Sequence, residues 1–280
     1  MKKLILGAAL TLFACTTNAQ IKKGFYAGVS AGYNFCSNAN SNLQYGEFVT
    51  FYNGTDSPTG VNFETVKLSL GKGVNVGGNF GYMFNKNIGA EMGIGLLLGS
   101  ETNSTRTDID SFGLNSQNNS IKTNQLQIKP AFVIAAGYEK INPYAKIGLV
   151  MGMGKTTYTN TEFDASTGDT FDMEAELTGG MMLAFRGSAG INFSINSKLA
   201  LFAELTSISG NISPTEAEIT KANVNGVSQL AFMTYNDSHV EFVDSHTFGG
   251  PESDNEAHKS PRPSFNASSL GLNFGVSYHF

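Results

Sequence analysis

Five ionisable side chains interrupt rows of otherwise uncharged residues. They are Glu91 in IGAEMGIGLLL, Lys129 in QLQIKPAFVIAA, Lys146 in YAKIGLVMGMG, Arg186 in MLAFRGSAGINF and Glu204 in LALFAELTSI. In each segment apolar residues alternate with small or polar ones, and the charge falls on the small face. A charge taken out of water is costly unless it is paired, so the three cations and two anions are expected to pair, with a formal sum of +1. Such a set either fills and rigidifies a closed interior or gates ions through it.

Two other patterns could carry chemistry. GLVMGMGKTT, Gly148 to Thr157, looks like a phosphate loop, but its spacing leaves five residues rather than four between the first Gly and the Gly-Lys pair. No helix pattern follows it, so no nucleotide or other cofactor is expected. Asp-Ser-His occurs at Asp237-Ser238-His239 and again at Asp244-Ser245-His246, with His258 beyond. Ser and His together invite a hydrolase or acyltransferase reading, and the histidines a weak metal site. Both triplets lie deep within a long polar stretch, so a solvated loop is expected, with no enzyme site and no metal.

The elements that must position these groups are read from period-two alternation. Eight segments show it: 24–35, 74–84, 88–98, 125–136, 144–154, 182–193, 199–208 and 269–280. At roughly 10 to 12 residues they suit tilted strands crossing a bilayer. Tight links at Asn85–Asn87, Gly137–Pro143 and Ser194–Lys198 alternate with long stretches rich in Asn, Ser, Thr, Asp and Glu, at 36–72, 99–123, 155–180 and 209–267. Within the last, VSQLAFMTY and VEFVDSHTF are expected to form a hairpin. Pro130 lacks a ladder donor and is expected to impose a bulge.

The chain opens MKKLILGAALTLFACTTNAQ, with a basic start, a short apolar core and small residues before Gln20. It reads as a secretory signal peptide over residues 1–19, leaving a mature chain of 20–280; a lipidated Cys15 is the alternative. Cleavage after Ala19 leaves Cys36 as a lone thiol. Composition narrows the classes further: 280 residues, 32 Gly, no Trp and 15% charged residues suit β-structure. The formal charge of −5, with no Lys/Arg cluster, excludes nucleic acid as partner. Residues 155–180 and 209–267 each carry five more acids than bases. Such acidic stretches either take up divalent cations or form a solvated exterior.

The signal peptide, eight alternating strands, long–short loop pattern and final SLGLNFGVSYHF together resemble the eight-stranded OmpA/OmpX-type outer-membrane β-barrel family. The resemblance implies an all-β, eight-stranded antiparallel up-and-down transmembrane barrel with short periplasmic turns and four long extracellular loops. The peptidoglycan-binding domain of some relatives is not expected here. It further implies that Tyr278 and Phe280 are the signal read by the outer-membrane assembly machinery. The lumen charges resemble salt bridges that brace or gate such barrels. The expected role is structural or surface-interacting, as an envelope stabiliser or adhesin in the outer membrane of a Gram-negative bacterium. A narrow or gated pore is the alternative and a lipid-modifying enzyme a distant one. The expected partners are outer-membrane lipids, lipopolysaccharide, the assembly machinery and host or surface ligands, with the chain a monomer.

Overall fold

A computed structural model describes residues 23–280 except 38–39, 42, 46–48, 52, 58–59, 110–112 and 246–252. The signal peptide read at 1–19, Cys15 within it and His246 fall outside the described residues. The described residues are all-β apart from a 3-10 turn at Leu230–Phe232 and a helical turn at Tyr235–Ser238. Eight strands coincide with the alternating segments: β1 (Gly24–Cys36), β2 (Gly73–Met83), β3 (Ile88–Gly99), β4 (Leu114–Ala135), β5 (Ile141–Asp164), β6 (Met182–Ser194), β7 (Leu199–Ile212) and β8 (Ser269–His279). Each pairs antiparallel with the next, and β8 returns to β1 through Val29 opposite Val276. The ladder therefore closes on itself and leaves no free edge along these strands.

Alternation decides which face turns outward. Val29, Phe132, Ile147 and Phe185 stand exposed on the outer wall, at 65%, 65%, 65% and 76% of their surface. Their inward neighbours are small or polar. A wall this apolar is stable only against lipid. The three short links share one device: an Asn carboxamide accepts backbone N–H groups of its own turn. Asn85 takes those of Asn87 and Ile88, Asn142 those of Gly137 and Tyr138, and Asn196 those of Lys198 and Leu199.

Among the described residues the stretches expected to be polar loops are largely strand, and seventeen strand segments join a single sheet. β4 and β5 run 22 and 24 residues, about twice the expected length. Thr102–Ile109, Asp169–Thr178, Glu216–Val224, His239–Val243 and His258–Pro261 extend the sheet outside the ring. The physical reason is a second alternation. Tyr158, Ala175, Leu177, Ala217, Ile219, Val240 and Phe242 recur on one face among polar residues and bury together with Leu68, Leu70, Ile121 and Phe265.

Two local expectations are corrected. Pro130 causes no bulge: the β4–β5 pairs run to Ile128–Met151 and resume at Ala131–Gly148 in unshifted register. The missing donor interrupts the ladder towards β5, while Lys129 and Pro130 stay paired with Gly93 and Met92 of β3. Nor do 227–235 and the described part of 240–248, residues 240–245, form a hairpin. Val227–Ser228 pairs with Asn223–Val224, and His239–Glu241 pairs with Glu216–Glu218.

Candidate functional site

Four of the five expected charges meet inside the ring. The Lys146 ammonium on β5 lies 2.9 Å from Glu91 on β3 and 3.0 Å from Glu204 on β7, so one side chain ties two strands across the lumen. The Arg186 guanidinium on β6 donates to Glu204 at 2.6 Å. All four are buried. In such a setting the pairs persist only because the remaining oxygen lone pairs are also satisfied. Tyr26 and Asn79 donate to Glu91 at 2.9 and 2.7 Å. Tyr144 and Thr206 donate to Glu204 at 3.0 and 2.9 Å.

Lys129 does not join this cluster. Its side chain lies along Gly93 and Gly95 of β3, where a Cβ on Gly95 would meet the ammonium. Among the described residues its ammonium has neither an ion-pair nor a hydrogen-bond partner. It lines a cavity of about 40 Å³ together with Glu91, Lys146, Arg186 and Glu204, and the two carboxylates act on it electrostatically. A second cavity of about 30 Å³ is lined by Tyr26, Met83, Tyr144 and His279 among others.

The two tyrosines went unassigned in the sequence, although a signal was present. Tyr26 and Tyr144 are the bulky members of otherwise small inward rows, and each faces a glycine in register on the next strand, Gly81 and Gly190. A side chain on either glycine would collide with the tyrosine ring. The glycine thus admits the ring, and the ring carries a hydroxyl to a carboxylate. Phe202 sits over Gly275 in the same manner but has no hydroxyl.

Above this layer the interior changes character. Val150, Met182, Ala184 and Ile208 are buried and continuous with the apolar core under the sheet that extends beyond the ring. Residues 5–227 match the family described as outer membrane protein beta-barrel domain. The chain belongs to this family. It is also similar to two solved outer-membrane structures. The outer membrane protein OprG from Pseudomonas aeruginosa shares 12% identity at a TM-score of 0.45, over 94% of this chain and 99% of that one. Ail, the attachment invasion locus protein of Yersinia pestis, shares 14% identity at a TM-score of 0.29, over 92% and 99%. No match is found among curated proteins.

In this outer-membrane barrel chain the remaining candidates fall into place. Gly148, Gly152 and Gly154 lie in uninterrupted strand β5, where a Cβ on Gly148 would strike the Pro130 carbonyl, so GLVMGMGKTT forms no phosphate loop. Ser238 does approach the ring of His239, with Oγ 2.9 Å from Nδ1. Its hydroxyl, however, also lies 2.9 Å from the Thr234 carbonyl. Asp237 is held in the Thr234 capping box, whose hydrogen bonds keep its carboxyl below the usual range. Asp244 lies 3.4 Å from Arg262. The described residues hold no group of three or more His, Cys, Asp or Glu placed to bind a metal. Tyr278 and Phe280 stand edge-to-face at 5.2 Å on the outer wall, and the Phe280 N–H donates to the Phe25 carbonyl.

Proposed function

We propose that β1–β8 form an eight-stranded, monomeric transmembrane barrel in the outer membrane of a Gram-negative bacterium. Its role is structural and surface-interacting, carried by the sheet that continues outside the membrane. Residues 1–19 export the chain, Tyr278 and Phe280 are read by the assembly machinery, and the apolar wall contacts lipid and lipopolysaccharide. The observation that carries this reading is the filled interior. Cavities of about 40 and 30 Å³ lie on either side of the ion-paired layer. Each has room for roughly two to four waters at about 10–15 Å³ apiece, which is far from a conducting path.

The surface role draws support from exposed apolar side chains on the extracellular side. Phe232 is 82% exposed, with Val227 and Tyr235 on the same segment also exposed. The test has two arms. In a planar bilayer the wild type is expected to give no steady conductance. On cells, a Phe232→Ser/Tyr235→Ser double variant is expected to fold and insert normally while losing attachment to host or abiotic surfaces. Steady wild-type currents that change in Lys146→Ala or Arg186→Ala would replace this reading with a gated pore.

A further inference from the structure

The outer wall is not evenly filled. Across β2 to β5 it carries a groove of about 470 Å³, open to the outside and lined almost wholly by hydrocarbon. Two compact residues shape it. Ala90 stands in register between Tyr82 on β2 and Phe132 on β4, and Pro130 stands beside Met92, so short groups lie where the neighbouring positions carry long ones. Glu91 borders the groove between Ala90 and Met92, but its carboxylate turns inward to Lys146. The hydrocarbon region of a bilayer offers such a groove no water, so an apolar chain must fill it.

At the short-link end of the groove the surface becomes basic. Lys86, in the β2–β3 link, comes four residues before Ala90 and so lies within about 13 Å of it at roughly 3.3 Å per residue. Its stem packs on the β4–β5 link, where a Cβ on Gly137 would lie 3.3 Å from its Cγ and Cδ. The side chain is thus laid across the foot of β3 and β4, the two strands that hold Ala90 and Pro130. Lys86 is exposed, and its ammonium has no ion-pair or hydrogen-bond partner among the described residues. The three short links together carry Lys86, Lys140 and Lys198 against the single acid Glu139.

We propose that this groove and Lys86 form a binding site for one anionic glycerophospholipid, with an acyl chain along Ala90 and Pro130 and the phosphate at the Lys86 ammonium. The inference rests on the reading that the ring crosses a membrane, and it names the lipid that one part of the wall retains. Charge complementarity selects the occupant. A second copy of the chain packed here would set its own short-link lysines at the level of Lys86, whereas a phosphate neutralises it.

The test uses the refolded full-length mature chain in detergent, with folding of each variant checked by gel shift. Native mass spectrometry then counts the lipids retained from an equal mixture of phosphatidylglycerol and phosphatidylcholine. The wild type is expected to retain one phosphatidylglycerol in preference to phosphatidylcholine by about fivefold. Lys86→Gln is expected to retain the two lipids equally, and Ala90→Phe, which fills the groove from the lipid side, to lose the retained lipid. Equal retention of both lipids by the wild type would reduce the groove to ordinary lipid contact and overturn the site, as would unchanged adducts in the two variants. A wild-type dimer that dissociates in Ala90→Phe would put a second copy in the groove instead. Should Ala90→Phe show no gel shift, Ala90→Leu takes its place. A folded wild type that retains no lipid ends this proposal alone and leaves the barrel standing, whereas a wild type without a gel shift ends both.

Discussion

Strand β5 passes through two interiors that obey opposite rules. In its lower half Lys146 points inward to carboxylates while Ile147 stands exposed outside. Towards its upper end Tyr158 is buried inside, and Lys155 lies on the outer face with Glu176. Parity is unchanged along the strand, so the even-numbered side chains face in throughout. What changes is the medium outside. Where lipid surrounds the wall, apolar residues face out and polar ones must satisfy one another within. Where water surrounds it, the ordinary arrangement returns and hydrocarbon fills the inside. The exchange falls between Met153 and Lys155. The apolar outward residues from Ala145 to Met153 span nine positions, close to the length that a strand tilted at about 45° needs to cross the hydrocarbon. Stability should therefore rest on ion pairing in one half and on packing in the other.

The sharpest break in that comparison is Lys146→Met. It removes the shared cation from two buried carboxylates and is expected to cost about 3–5 kcal/mol. The gel-shift midpoint of the ring should fall steeply. A Glu91→Gln/Lys146→Met double variant should recover part of the loss, because one stranded charge is removed; no recovery would mean that the pair does not control stability. In the upper half, Leu68→Ala empties a fully buried site and is expected to cost about 2–5 kcal/mol. Its signature differs: the sheet beyond the ring should become sensitive to added protease while the ring keeps its gel shift. A variant that loses both together would show that the two halves unfold as one unit.

These two experiments also mark what the sequence made legible. The ring strands and their faces were readable because a lipid-facing strand alternates strong hydrophobes with small residues, as in Ile94-Gly95-Leu96. The upper core was not. In TTYTNTEFD and EAEITKANV the inward set is Tyr158, Ala217 and Ile219, diluted by Thr, Asn and Glu, and composition alone reads such runs as loop. Partner choice within the site was equally hidden. Which cation reaches which acid depends on the stagger between strands, and that stagger leaves Lys129 level with Gly93 rather than with Glu91.

A smaller effect probes the upper half by pH. The Tyr158 hydroxyl donates to Asn119 at 2.6 Å, and burial pushes it up to about 12. Folding thus holds this proton more tightly than the unfolded chain, whose tyrosines titrate near 10. The unfolded state binds fewer protons between those values, so stability falls as pH rises through that window. Tyr158→Phe is expected to cost about 1 kcal/mol at neutral pH and to flatten the loss of protease resistance between pH 10 and 12. An unchanged slope would place the titrating group elsewhere.

The smallest expected effect lies at the boundary between the two halves. Lys155 and Glu176 pair at 2.6 Å across β5 and Asp169–Thr178, with Lys155 half exposed. The distance is shorter than that of either Lys146 contact, yet the environment decides its worth. Water screens the charges and supplies alternative partners, so an exposed pair contributes under about 1 kcal/mol and less in high salt. Lys155→Ala should therefore shift the midpoint far less than Lys146→Met, and its shift should vanish in about 1 M salt, where the Debye length falls to roughly 3 Å. The Lys146→Met shift should persist under the same salt, since its ion pairs are screened by protein rather than by electrolyte. Equal salt sensitivity of the two variants would place Lys146 in contact with bulk electrolyte and contradict a sealed lumen.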